Sequence, residues 1–219
     1  MSTGIAIFVK TPGLSPVKTR LAVSIGAERA LAVYRDCVAC VRASVERACE
    51  LDDLTPYWAV AEAQAIGQWP GWPNLLQPNG DLGARMAGIY AQLRERHSSA
   101  LLLGADVPAI EAVLIEAACR ALQTERARVI APAEDGGFVL FGANVDLPPD
   151  AWDQPIYGVP DTARQFLAGV GAQLHLTSLE RQYDLDTIAD LHALARRPPR
   201  NPTPEQMHFW ARIDALSRV

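Results

Sequence analysis

The chain has 219 residues and a mass of 23.7 kDa; with 49% hydrophobic residues and a mean hydropathy of +0.03, it carries enough apolar material for one sizeable α/β core. A formal net charge of -5 and a pI near 5.4 argue against a broad positive face, and so against general binding to nucleic acid or an anionic membrane; any phosphate recognition must be local. No apolar run approaches the roughly 20 residues that span a bilayer, and the N-terminus opens as a strand rather than a basic leader, so a cytoplasmic protein is expected.

Gly4 to Val9 reads as a buried strand, and the loop after it, from Lys10 through Thr11, Pro12, Gly13, Leu14, Ser15, Pro16, Val17, Lys18 and Thr19 to Arg20, carries three cations. Proline and glycine stiffen this loop, and Lys10, Lys18 and Arg20 can meet phosphate oxygens by charge-assisted hydrogen bonds. A solvated surface loop accounts for the same charges. Neither G-x-x-x-x-G-K-[ST] nor G-x-G-x-x-G occurs here, so a P-loop and a Rossmann dinucleotide turn are both unsupported. A long helix follows from about Ala27 to Cys49, with Leu31, Tyr34, Val38, Val41 and Val45 in the pattern. Cys37 and Cys40 form a C-x-x-C inside it, without the second close pair a zinc set needs, and read as reduced core thiols.

Pro56 to Val60 reads as a strand and Leu75 to Gln77 as a short extended segment. Gly80-Asp81-Leu82-Gly83-Ala84-Arg85-Met86 then turns into a helix running to about Arg94, with Met86, Ile89 and Leu93 on one side. Asp81 fits as the helix N-cap. Arg85 in the first turn opposes the helix dipole, which is easier to understand if it faces an anion.

Ala100 to Gly104 forms an apolar strand buried on both faces, so Asp106 emerges at the carboxyl edge of a sheet, where open α/β sheets place their ligands. A carboxylate there can hold a divalent cation; with Pro108 behind it, Asp106 can equally cap the next helix, whose pattern includes Ile110, Val113, Leu114, Ala117, Ala121 and Leu122. Arg128 to Ala131 and Phe138 to Phe141 read as strands flanking Glu134-Asp135-Gly136-Gly137, in which paired glycines admit close backbone approach and the acids can bind a ribose hydroxyl or a metal. Asp146 to Pro160 reads as a loop over a ligand edge. In Asp184-Leu185-Asp186 the alternation puts both acids on one side of an extended segment, able to share a cation with Asp106; a simple turn is the alternative for either acidic segment.

The repeated β-α order predicts a mainly parallel sheet with helices on both faces, in one domain over residues 1–195. Residues 196–202 form a proline-rich linker, and residues 203–219 a final helix started by Thr203-Pro204-Glu205-Gln206. Met207, Trp210 and Ile213 would dock this helix on the domain; a contact with a second copy in a homodimer is the other reading.

Together these blocks resemble a bacterial family of glycosyltransferase-A-like transferases, encoded beside radical SAM and selenium-related genes. The resemblance runs from about Ile5 to Leu191. It is carried in order by Phe8-Val9-Lys10, Val17 to Leu21, Gly80 to Gly83 with Arg85-Met86, Gly104 with Asp106 and Pro108, Glu134 to Gly137, and Asp184 with Asp186-Thr187 and Asp190-Leu191. The family is related to nucleotidyltransferases that guanylylate phospholactate or molybdopterin, and to glycosyltransferases using nucleotide sugars. The resemblance implies a single-domain GT-A fold, phosphate binding by the first loop with Lys18 and Arg20, and Mg²⁺ or Mn²⁺ on Asp106, Asp184 and Asp186. Ala105 and Val107 depart from the small polar residues usual beside that acid, and Tyr157-Gly158-Val159 replaces an expected tryptophan, small residue and threonine, so the acceptor pocket is the least constrained part.

The expected activity is nucleotidyl transfer from a nucleoside triphosphate to a small acceptor, with glycosyl transfer from a nucleotide sugar and non-catalytic nucleotide binding as alternatives. The lone acid favours the first: Gly104 and Pro108 stand where a glycosyltransferase of this fold would commonly place a second acid.

Overall fold

A computed structural model describes residues 2–50 and 53–217. The elements in chain order are β1 (Thr3–Val9), α1 (Thr19–Ile25), α2 (Ala27–Cys49), β2 (Leu54–Val60), a 3-10 turn (Ala63–Ala65), β3 (Asn74–Leu76), α3 (Leu82–Arg94), β4 (Ser99–Gly104), α4 (Ala112–Ala121), β5 (Ala127–Pro132), β6 (Phe138–Ala143), α5 (Asp150–Asp153), α6 (Thr162–Val170), β7 (His175–Ser178), α7 (Ile188–Ala195) and α8 (Pro204–Ser217).

The strands make one seven-stranded sheet in the order β3-β2-β1-β4-β6-β5-β7. Every neighbouring pair is parallel except those of β6, which runs antiparallel to both β4 and β5. Phe8 of β1 is level with Gly104 of β4, so the loops that leave these strands, bearing Lys10 and Asp106, start side by side. Reversal of β6 brings its first residue, Phe138, to that same edge.

Strand pleating explains the unbroken apolar runs. Ile5, Ile7, Leu101 and Leu103 pack with Tyr34, Val38, Val41 and Val45 of α2 and Ile115 of α4, whereas Ala6, Ala100 and Leu102 pack with Met86, Ile89 and Leu93 of α3 and Phe166 of α6. The outer side of α2 forms a third apolar cluster, in which Cys37 and Cys40 lie with Leu21 of α1, Leu185, Leu191 and Leu194, and Phe209 and Ile213 of α8. Burial pushes both thiols above their ordinary pKa, as suits core cysteines.

Several local expectations change. Asp106 does not cap α4: that helix begins at Ala112 with Glu111 as its N-cap residue, leaving Ile110 buried before it. The segment from Asp146 to Pro160 contains the short α5, whose Trp152 is buried against Phe141 and Phe166. Met207 faces solvent, and Phe209 takes the buried position in its place. Residues 196–202 are tied down as well, with the Arg200 and Asn201 amides donating to the Glu111 carboxylate at 3.2 and 3.1 Å. Among the described residues no helix is long and apolar enough to cross a membrane.

Candidate functional site

A cleft of about 610 Å³ opens at the carboxyl edge of β1 and β4. Its wall includes Lys10, Lys18, Gly80, Asp81, Arg85, Asp106, Asp135, Gly137, Asp184 and Asp186, drawn from blocks far apart in sequence. Thr11, Gly13, Arg20, Glu134 and Gly136 lie outside this lining.

Lys18 is the centre of the charged half. Its ammonium donates to Asp106 Oδ2 at 3.0 Å and to Asp186 Oδ1 at 2.8 Å, with the side chain only 4% exposed. Burial alone would lower its pKa, but the two carboxylates outweigh that effect and hold it above the ordinary lysine value. Its backbone is left-handed (φ 45, ψ 42) at the residue before α1, an uncommon state for a side-chain-bearing residue. Arg20, two residues on and largely exposed, reaches Asp186 Oδ2 at 3.9 Å. Farther back, the Tyr34 hydroxyl donates to the Lys10 carbonyl at 2.8 Å and accepts from the Lys10 amide at 3.0 Å, fixing the start of the loop. Thr11 is turned outward, its amide donating to Glu62 and its hydroxyl accepting from Trp69 Nε1.

The late acids are placed by the backbone. Leu185 is fully buried, and its amide donates to the Asp106 carbonyl at 3.0 Å, so its neighbours Asp184 and Asp186 flank the β4 exit. Asp190 closes a capping box with Thr187 and also accepts from the Asp186 amide at 3.0 Å. Asp184 is pushed up to about 6, first by burial and then by the carboxylates of Asp106 and Asp135.

These acids offer the hard oxygen donors that Mg²⁺ or Mn²⁺ prefers. Among the described residues, however, no group of three His, Cys, Asp or Glu side chains could hold a metal by itself. With Lys18 already between Asp106 and Asp186, the residues fit a cation held by one or two carboxylates and completed by substrate phosphates.

On the far side, Asp81 caps α3 by accepting from the Ala84 amide at 2.9 Å, and it still lines the cleft. Arg85 donates from Nε to the Gly80 carbonyl at 3.0 Å, leaving its terminal nitrogens for an anion. Asp135 Oδ1 accepts from the Gly137 amide at 2.9 Å, and Glu134 is paired with Arg181 at 3.5 Å. Gly136 adopts φ +89, and a Cβ there would lie 1.9 Å from the Pro160 carbonyl oxygen; only glycine lets the acidic turn meet the 155–161 segment.

The sequence assigns no site role to Phe138, Gln77 or Met86 and raises Tyr157 only as a departure from the family pattern near the acceptor pocket, yet all four line the cleft. Apolar and amide side chains carry no chemical signature in one sequence; Phe138 could have been flagged only by its place directly after the Asp135-Gly136-Gly137 turn.

Comparison with known proteins agrees with this architecture. The profile of the DUF2064 family, described as an uncharacterized protein conserved in bacteria, matches residues 53–158, a span that includes Asp106 but neither Lys18 nor Asp186. No curated protein matches the sequence. A provisionally named nucleotide-diphospho-sugar transferase of Desulfovibrio desulfuricans G20 is 27% identical with a TM-score of 0.85, the match covering 100% of this chain and 98% of that one. A 4-diphosphocytidyl-2C-methyl-D-erythritol synthase of Anaerococcus prevotii DSM 20548 matches at 11% identity and TM-score 0.57, covering 90% of this chain and 99% of its own. A CMP:2-keto-3-deoxy-manno-octonic acid synthetase complexed with CTP matches at 12% and 0.55, covering 89% and 97%. The fold is thus α/β with a mostly parallel central sheet, like that of nucleotide-diphospho-sugar transferases.

Proposed function

We propose that this chain is a divalent-metal-dependent transferase that moves a nucleotidyl group from a nucleoside triphosphate to a small acceptor. The observation that carries this reading is the buried Lys18 clamped between Asp106 and Asp186 at the shared edge of β1 and β4, with Lys10 and Arg85 in the same cleft. Cations facing carboxylates across a sheet edge suit a triphosphate and its counter-cation. Lys10, Lys18 and Arg85 would bind and orient the phosphates, and Arg20 would hold Asp186 in place. Asp106, with Asp184 or Asp186 beside it, would hold Mg²⁺ or Mn²⁺ through one or two carboxylates, the substrate phosphates supplying further oxygens. When bound, the cation offsets charge on the phosphoryl oxygens and the leaving group.

In the reaction an acceptor oxygen bonds to the α-phosphorus as the bond to the α,β-bridging oxygen breaks. Pyrophosphate departs with that electron pair, and the acceptor hydroxyl gives its proton to solvent water. Asp106 stands without a second acid at Gly104 or Pro108, which favours this reading. The name of the relative from Desulfovibrio, matched over the whole chain, favours a second reading in which a nucleotide sugar donates its glycosyl group and nucleoside diphosphate leaves.

Incubation of the protein with each nucleoside triphosphate, Mg²⁺ and pooled small-molecule acceptors should release pyrophosphate together with a nucleotidylated product, and Asp106→Ala should not. Nucleoside diphosphate release from a nucleotide sugar would establish the second reading instead. Tight nucleotide binding without any product would mark a non-catalytic nucleotide-binding protein and overturn both.

A further inference from the structure

The cleft is divided by chemistry. Its cations, Lys10, Lys18 and Arg85, all come from the β1 loop and α3, the side assigned above to the donor. The facing wall, built by the 133–137 turn, β6, the 155–161 segment and the start of α6, holds Asp135, Phe138, Val139, Tyr157 and Thr162. Among the described lining residues it contributes one acid and no cation. Arg85, two residues along α3 from the Gly83 that meets Tyr157, is assigned to the donor; of the basic groups on neighbouring segments, Arg181 pairs with Glu134 at 3.5 Å and Arg164 with Asp161 at 2.6 Å, and neither lines the cleft.

Polar atoms on this wall are largely satisfied internally. The Thr162 hydroxyl donates to the Ile156 and Val159 carbonyls, and the Tyr157 hydroxyl donates to the Trp152 carbonyl at 2.9 Å. What the wall presents is ring surface. The Phe138 ring is held by Phe166, with centroids 4.9 Å apart, and the Tyr157 ring lies against Gly83, where a Cβ would come within 3.0 Å of it. One polar group remains to be met there, the exposed carboxylate of Asp135, of which one oxygen accepts from the Gly137 amide.

We propose that the acceptor is a neutral or cationic molecule with a flat apolar body, seated on Phe138 and Tyr157 with its amine or hydroxyl toward Asp135, and that it carries no phosphate. A phosphorylated acceptor would bring its dianion to a wall that offers it a carboxylate and no cation. An aromatic or aliphatic body gains from the two rings, and a cationic end gains further from Asp135. This inference rests on the donor assignment made above, so the donor site is filled before the acceptor wall is probed.

The test uses three probes that share one ring, namely benzylamine, benzyl alcohol and benzyl phosphate, titrated by saturation-transfer NMR into the full chain saturated with the nucleoside triphosphate it binds best. Benzylamine should bind most tightly and benzyl phosphate at least about tenfold more weakly. Asp135→Asn should weaken benzylamine by a few-fold and leave benzyl alcohol alone, whereas Phe138→Leu should weaken both while the variant keeps its circular dichroism spectrum. Equal or tighter binding of benzyl phosphate, absence of binding by all three probes, or no effect of Asp135→Asn on benzylamine would each overturn the proposal. Failure of every nucleotide to bind would instead overturn the donor reading on which it stands.

Discussion

Lys18 carries two unusual features at one residue, a buried ammonium and a left-handed backbone, and the carboxylates of Asp106 and Asp186 account for the first. Replacing it by methionine keeps the volume but leaves two carboxylates facing each other. Both acids are more than a third exposed, so solvent screening limits the cost, and Lys18→Met should lose about 1–2 kcal/mol in urea denaturation without metal. Millimolar Mg²⁺ should then stabilise the variant more than the wild type, because a cation is again wanted between the acids; unchanged stability with no metal response would contradict this. Asp184 gives a pH signature. Its pKa is raised to about 6 from the ordinary aspartate value of 3.8, so the folded state binds the proton more tightly than the unfolded chain, and the group costs stability as pH rises through that interval. Metal-free Asp184→Asn should therefore be more stable than wild type at neutral pH and equal to it below the lower value, by thermal denaturation across pH. At this scale the titratable residues of the cleft were legible in the sequence, because charge in an apolar context announces itself. The Lys18 bridge was not: its partners lie 88 and 168 positions away, and only the fold brings them together.

The elements differ in how much they write into the sequence. Strands β1 and β4 and helices α2 and α3 bury continuous or periodic apolar sets, and each was readable from them. Helix α1 buries only Leu21 and strand β7 is largely exposed, so neither shows a pattern; both are imposed by neighbours, α1 by α2 and β7 by its parallel partner β5. Helix α6 did leave a trace in the spacing of Thr162, Phe166 and Val170, obscured by the proline-rich segment before it. Helix α6 is held to the acidic turn at Gly136, whose carbonyl accepts from the Ala163 amide at 3.0 Å, and Pro160 of the preceding segment packs on the same glycine. Gly136→Ala meets both a positive φ and the Pro160 carbonyl, and should cost about 2 kcal/mol or more, with faster amide exchange across residues 155–161. A loss below about 0.5 kcal/mol would show that the turn is free to move.

Across the whole molecule, the net charge of -5 extends into the cleft, where Lys10, Lys18 and Arg85 stand among Asp81, Asp106, Asp135, Asp184 and Asp186, so the cations that converge on this sheet edge sit in an acidic surround. The C-terminal helix supports that edge from below. Gln206, almost fully buried, donates to the carbonyls of Pro108 and Ile110 at 2.9 Å, just past Asp106, and Phe209 and Ile213 fill the cluster that also holds Leu21 and Leu185, neighbours of the site acids and cations. The capping sequence predicts where this helix starts, and Met207, Trp210 and Ile213 suggest a docking face, of which Ile213 is buried and Met207 is not; its role in holding the Asp106 loop leaves no trace in the sequence, since a glutamine carries no hint of which distant carbonyls it will reach. On the proposed function, the Lys18–Asp106 edge binds the phosphates of a nucleotide together with a divalent cation. Calorimetric titration of nucleoside triphosphates into wild type and Asp106→Ala, each with Mg²⁺ and with EDTA, tests it most directly. The expected result is Mg²⁺-dependent binding by wild type that weakens by about tenfold or more in the variant; no binding of any triphosphate, or equal metal-dependent binding by both proteins, would contradict the account.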